Sequence, residues 1–255
     1  MKTAVITGGA GGLGQALAKG LQAQGWRTAL VDLDGPALAA LAETDQQKPY
    51  SCDLTDAAAF AVVCDQIRRD HQSIDMVIYN AGVTQIGLFA QSDAASQRQV
   101  FEVNFFAATA CAWAFLHDIR ASKGVHLAIS SVAGFTPLYK RTAYAASKHA
   151  LEGFFASLAA EELAFGVQTS IAAPSFVATN PGNAERQDNG IARPGSATDG
   201  IDYMPPDKAA AIILKGVAKR RAFIPVGRVA LLSYLINRLS PRLFFHLMLR
   251  KMKAE

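Results

Sequence analysis

Residues 2–15 read Lys-Thr-Ala-Val-Ile-Thr-Gly-Gly-Ala-Gly-Gly-Leu-Gly-Gln, an apolar run that ends in a glycine-rich turn and opens into a segment of helical period. Without Cβ atoms such a turn folds tightly and lets its backbone approach a pyrophosphate, whose charge the N-terminus of the following helix favours. A glycine turn alone is weak evidence, but strand, turn and helix in that order form the opening of a dinucleotide-binding unit. The remainder of the chain repeats the alternation. Strands are predicted at 2–7, 27–32, 74–80, 124–131, 167–173 and 222–226, with a weaker one at 49–52. Helices are predicted at 12–25, 35–44, 55–71, 94–121, 142–165 and 206–220. The pattern implies an α/β fold, a doubly wound parallel seven-stranded sheet of Rossmann type with helices on both faces, whose ligands bind beyond the strand carboxyl ends.

The strand ends carry the polar residues that such a crevice would use. Asp32 closes the second strand eighteen residues after Gly14 and can accept from both hydroxyls of an adenosine ribose. The same carboxylate would repel a 2′-phosphate, and no basic residue stands at Gly11 or Leu33 to offset it, which favours NAD over NADP. Asp53 ends the weak third strand; it can bond an adenine amino group or accept from N–H groups of its own turn. Tyr79-Asn80-Ala81-Gly82 ends the fourth, and Ile129-Ser130-Ser131 brings hydroxyls to the same rim. Tyr144 and Lys148 stand four residues apart, on one face of the helix that follows, where a cation can draw the phenol pKa down toward neutrality. A Tyr/Lys pair by itself is most often a solvated helix face. Its weight here comes from the ordered set.

That set resembles the short-chain dehydrogenase/reductase family over residues 1–226. The family's T-G-x-x-x-G-x-G stands as Thr7, Gly8, Gly12 and Gly14, its N-A-G as Asn80, Ala81 and Gly82, and its Y-x-x-x-K as Tyr144 and Lys148. A serine thirteen residues before the tyrosine selects Ser131 over Ser130, and the helix asparagine matches Asn104. The resemblance implies a catalytic set of Asn104, Ser131, Tyr144 and Lys148. Ser131 would hold the substrate oxygen, Lys148 would bind nicotinamide ribose and lower the Tyr144 pKa, and Asn104 would hold a proton-relay water. It also implies a cofactor site lined by Gly8, Gly12, Leu13, Gly14, Asp32, Leu33, Asp53, Leu54, Asn80, Ala81, Gly82, Tyr144, Lys148, Pro174, Val177 and Thr179, and no metal. One departure is visible: where the family reads P-G, this chain has Pro174-Ser175. The implied activity is NAD-dependent interconversion of a secondary alcohol and a carbonyl compound. A silent NAD-sensing scaffold would lose part of the catalytic set, and a nucleotide-sugar epimerase would carry a larger substrate domain after the sixth strand. Phe89, Phe135, Leu138 and Tyr139 suggest either a lipophilic substrate, such as a steroid, retinoid or fatty alcohol, or simple core packing.

Composition bounds the rest. The chain has 255 residues, 51% hydrophobic and 18% charged, which fits a folded globular body. Three cysteines, Cys52, Cys64 and Cys111, are too few for a disulfide framework and fit a cytoplasmic protein, as does the lack of a signal-peptide pattern at Met1. The net charge of +4 is unevenly distributed. Residues 215–255 hold ten basic side chains and one acidic, so 1–214 carry −5 and the tail +9. No nucleic-acid motif accompanies this charge. Residues 1–227 read as one dinucleotide-binding and catalytic domain, and 228–255 as an amphipathic helical extension of it. In that extension Arg242, His246, Arg250 and Lys253 form one stripe among Leu, Phe and Met, suited either to an anionic membrane surface or to docking on the protein. The stretch 180–206, rich in glycine and proline, reads as a substrate-covering lid. The broad apolar faces of 94–121 and 142–165 suit a two-fold homodimer.

Overall fold

The computed structural model describes residues 1–179, 187–195 and 203–252. In chain order the elements begin with β1 (Thr3–Thr7), α1 (Gly12–Gln22), β2 (Arg27–Asp32), α2 (Pro36–Ala39), β3 (Gln47–Ser51) and α3 (Ala57–Asp70). There follow β4 (Met76–Tyr79), β5 (Thr84–Gln85), α4 (Ala94–Phe101), α5 (Ala107–Ala114), α6 (Leu116–Ser122), β6 (Val125–Ile129) and α7 (Thr142–Glu162). The chain continues through β7 (Gln168–Pro174), β8 (Ile191–Ala192), α8 (Pro206–Ala218), β9 (Phe223–Val226), α9 (Arg228–Leu239) and α10 (Pro241–Met252).

Seven strands form one parallel sheet in the order β3-β2-β1-β4-β6-β7-β9. The order reverses between β1 and β4, and a crevice opens at that switch point. Strands covered on both faces should be apolar throughout, and β1 and β4 are buried at every residue. Ile6, Leu30 and Leu127 pack with α1 and α8 on one face. Val5, Tyr79 and Ala128 pack with α3, α5 and α7 on the other. Phe155 of α7 lies fully buried against the Tyr79 ring, with centroids 4.5 Å apart, and seats the long helix on the sheet.

The predicted strands are all present, and the weak one at 49–52 begins earlier, at Gln47. Two helices differ. The segment 35–44 keeps only the turn Pro36–Ala39, because Leu38 is the sole buried side chain of that turn and a longer isolated helix has no face to bury. The segment 94–121 is broken twice. A single π-turn at Glu102–Phe106 separates α4 from α5, and a bend of 54° at Phe115 separates α5 from α6. The extra residue of a π-turn shifts the face that a helix presents, and here it turns Asn104 inward. Of the expected lid, 180–186 and 196–202 lie outside the described residues. Its described middle is a strand: β8 pairs antiparallel with β5, Thr84 facing Ala192 and Gln85 facing Ile191. Within the sequence-predicted extension, α9 packs on β9 and α10 packs on α9; Lys253 lies outside the described residues.

Candidate active site

The crevice begins at the glycine turn, which three contacts hold in place. Gly8 has φ +64°, and a Cβ there would sit 2.8 Å from the Ala81 Cα. Gly9 donates its N–H to the Val31 carbonyl at 3.1 Å. Ala10 donates to the Asp32 carboxylate at 2.9 Å. The N-terminus of α1 has no side-chain cap and no acidic residue in its first turn, so its N–H groups face the crevice available to an anion. Asp32 also accepts from the Leu33 N–H at 2.9 Å, which leaves each carboxylate oxygen a second lone pair for a ribose hydroxyl. At Asp53 both readings of the sequence have a place. One oxygen accepts from the Thr55 N–H and hydroxyl at 2.9 and 2.7 Å, while the other has no partner among the described residues.

Gly8, Gly12, Leu13, Asp32, Leu33, Asp53, Leu54, Asn80, Ala81 and Gly82 line one continuous crevice with Ser131, Tyr144, Lys148, Pro174, Val177 and Thr179. Gly14 instead closes the turn from behind, since a Cβ there would collide with the Gly8 carbonyl. The donor set therefore fits a dinucleotide: open helix N–H groups in the middle, carboxylates at one end, and an ammonium and hydroxyls at the other.

At the far end the two serines diverge. Ser130 donates to Glu152 at 2.6 Å, whereas Ser131 accepts from the Ala133 N–H at 3.2 Å and bonds the Tyr144 phenol. Burial pushes the Tyr144 pKa up from its ordinary 10.0; the Ser131 hydroxyl and the Arg141 guanidinium oppose that. Lys148, expected to lower the phenol pKa, is not among the groups that oppose this rise. The Lys148 Nζ lies 6.0 Å from the phenol ring centre and donates to the Ile129 carbonyl at 2.9 Å. Burial pushes Lys148 itself down to about 8, against the pull of Glu152.

Asn104, 1% exposed, meets the crevice only through its neighbours. Its Oδ1 accepts from the Val83 N–H at 2.8 Å, and its Nδ2 donates to the Val83 carbonyl at 2.9 Å and the Ser147 hydroxyl at 3.0 Å. Both amide hydrogens are thus committed to protein, and the Oδ1 keeps its second lone pair as the place where the expected water could bond. Thr179 lines the crevice, yet its hydroxyl donates to the Pro194 carbonyl at 2.7 Å. Ser175, where the family has glycine, rests its hydroxyl near Gly227, whose φ of +98° starts α9.

The residues expected to form a lipophilic pocket are mostly elsewhere. Leu138 lines the crevice, but Phe135 packs against Phe223 and Tyr234, and Phe89 and Tyr139 are exposed. Val83, Val103, Phe176 and Tyr203 supply the apolar lining instead. Sequence reasoning also missed Arg141, which is buried in the crevice wall and donates to the Thr84 hydroxyl at 2.8 Å. Its position three residues before Tyr144, at the start of a helix, was the available clue.

Comparison with known proteins follows the same outline. A family model for short chain dehydrogenases matches residues 2–190. Dehydrogenase/reductase SDR family member 7B of Danio rerio is 31% identical over 267 residues, covering 100% of this chain and 86% of that protein. A short-chain dehydrogenase from Streptomyces avermitilis superposes with a TM-score of 0.81 at 24% identity, covering 100% of this chain and 99% of its own. One from Burkholderia cenocepacia in complex with NADP gives 0.83 at 18% identity, covering 97% of each chain. Another from Burkholderia phymatum in complex with NAD gives 0.79 at 22%, covering 95% of this chain and 94% of its own.

The buried lysine has a measurable signature. Below pH about 8 the folded chain holds the Lys148 ammonium against its burial; between that value and 10.5 the unfolded chain binds more protons than the folded one. Stability contributed through Lys148 therefore rises with pH in that window. The melting temperature of Lys148→Met minus that of the parent, measured by thermal scanning without added nucleotide, should be greatest near neutral pH and should fall steadily toward pH 10.5. A flat difference would contradict a charged lysine held in the apolar wall.

Proposed function

This chain belongs to the short-chain dehydrogenase/reductase family and is an oxidoreductase, and on that premise we propose that it uses a nicotinamide cofactor, NAD, to interconvert a secondary alcohol and a ketone or aldehyde. The observation that carries the reading is the meeting of Ser131, Tyr144 and Lys148 at one end of a crevice whose other end presents Asp32. Bound NAD supplies the hydride acceptor at its nicotinamide ring. In the oxidation direction the Tyr144 phenolate accepts the alcohol proton, and the Ser131 hydroxyl holds the substrate oxygen as its charge changes. Arg141 stabilises that phenolate from the helix start. Lys148 presents its ammonium to the ribose edge of the site. Asn104 fixes Val83 on the crevice wall and Ser147 beside Lys148.

Support for NAD comes from Asp32 and from Leu33, which is 55% exposed where a 2′-phosphate would need a cation. The apolar lining by Val83, Val103, Leu138 and Phe176 supports a lipophilic substrate of the steroid, retinoid or fatty-alcohol kind. Three buried free thiols support a reducing, cytoplasmic setting. A homodimer is supported by exposed apolar side chains on α5 and in the turns that precede α5 and follow α7: Trp113 is 79% exposed and Leu163 76%, with Phe106 and Phe165 also open.

Three outcomes are expected. In an NAD-coupled screen of steroid, retinoid, fatty and short secondary alcohols, Tyr144→Phe should abolish turnover while NADH affinity changes little, since only the proton-transfer group is lost. Retained kcat would refute the assignment. Asp32→Ala combined with Leu33→Arg should move preference from NADH to NADPH by titration, and tighter NADPH binding by the parent would refute the charge argument. Light scattering should give twice the monomer mass, and Trp113→Arg should return it to one.

A further inference from the structure

The C-terminal hairpin of α9 and α10 turns its inner side to the body and leaves the other open. Ala230 is buried, Tyr234 stacks on Phe223 at 4.8 Å, and Asn237 donates to the Phe135 carbonyl at 2.6 Å. Leu231, Leu232 and Leu235 of α9 are exposed, and Leu239 is 86% exposed. Leu243, Phe245 and Leu247 of α10 are exposed as well, while Phe244, Met248 and Leu249 are half-buried. At about 100° per residue, Arg242, His246 and Arg250 share one stripe beside Leu243 and Leu247. All three are exposed. From Arg228 to Met252 the sequence holds Arg228, Arg238, Arg242, Arg250 and Lys251 and no acidic residue.

We propose that this hairpin docks on an anionic lipid surface, with the leucines of α9 and α10 entering the headgroup boundary and the arginine stripe at phosphate level. Charge decides the occupant. A second copy would bring a like-charged hairpin with no carboxylate to pair with, whereas an anionic bilayer complements it throughout. Length decides the mode: each helix has 12 residues, and no single helix among the described residues is long and apolar enough to cross a membrane. The hairpin is also tied to the site. Phe135, which Asn237 holds, follows Ser131 by four residues, and Gly227 at the root of α9 lies 3.0 Å from the Met204 methyl beside Tyr203 of the crevice wall, measured from the position of a Cβ.

The test is flotation of the full chain with vesicles of phosphatidylcholine alone and of phosphatidylcholine with phosphatidylserine, at low and high salt. The chain should float with the mixed vesicles at low salt and remain below with the neutral ones. Arg242→Glu with Arg250→Glu should weaken that binding about tenfold or more, and Leu232→Ser with Leu235→Ser should weaken it without removing its salt dependence. Circular dichroism and the monomer–dimer equilibrium of each variant should match the parent, which separates lost docking from lost folding. Equal flotation with neutral vesicles, no flotation, or unchanged binding by the charge-reversed variant would overturn the proposal. None of these readouts depends on turnover.

Discussion

Where the strand order of a parallel sheet reverses, a crevice opens beyond the carboxyl ends of the two neighbouring strands, and here one threonine and one asparagine span it. The Thr7 hydroxyl accepts from the N–H groups of Asn80 and Ala81 at 3.0 and 3.1 Å, and the Asn80 amide donates to the carbonyls of Thr7 and Gly8 at 3.1 and 2.9 Å. Without such partners, these backbone groups at the mouth of the crevice would turn toward each other or toward water. The clamp fixes the glycine turn relative to Gly82, across which Asn104 and Lys148 face each other. Anion-binding and proton-transfer ends of the site are thus held to one another through β1 and β4.

The proton-transfer end balances burial against a few polar contacts. Tyr144 and Lys148 are both buried, and burial opposes the ionised form of each. Ser131 and Arg141 work against it at the phenol, and Glu152 works against it at the ammonium. Glu152 is itself pushed up by burial and held by Ser130. Gly134 makes room for this pair, since a Cβ there would collide with both partners. The turn that carries Ser131 is therefore locked from below by a carboxylate one helical turn past Lys148.

Periodicity made the sheet legible because its central strands have apolar middles, as in Ala4-Val5-Ile6 and Met76-Val77-Ile78, whereas β7 is read in spite of the buried Gln168, Thr169 and Ser170. The cofactor-facing residues were legible because they cluster at strand ends in fixed order. What remained hidden depends on three-dimensional competition. The continuous apolar period of 94–121 contains nothing to announce a π-turn, which exists because Asn104 finds Val83 and Ser147 inside. Phe135 could be read as pocket lining or as core packing, and its contact with Tyr234 of α9 decides for packing. Arg141 belongs to none of the sequence motifs, and only the fold brings the Thr84 hydroxyl to its guanidinium. Ile191-Ala192 is too short to read as a strand without its partner in β5.

Ser175 and Gly227 illustrate how such neighbours constrain one another's history. The serine hydroxyl lies 3.3 Å from where a Cβ of Gly227 would be, and Gly227 has a backbone conformation that side chains avoid. Position 227 is bound by its φ and by the Met204 methyl, 3.0 Å from that Cβ position, and the serine hydroxyl adds a second steric contact. The two positions are therefore coupled: the serine hydroxyl occupies space that a side chain at the root of the C-terminal hairpin would need. Grafting this hairpin onto another member of the fold, or exchanging the crevice loop alone, would bring the two sides of that contact from different parents.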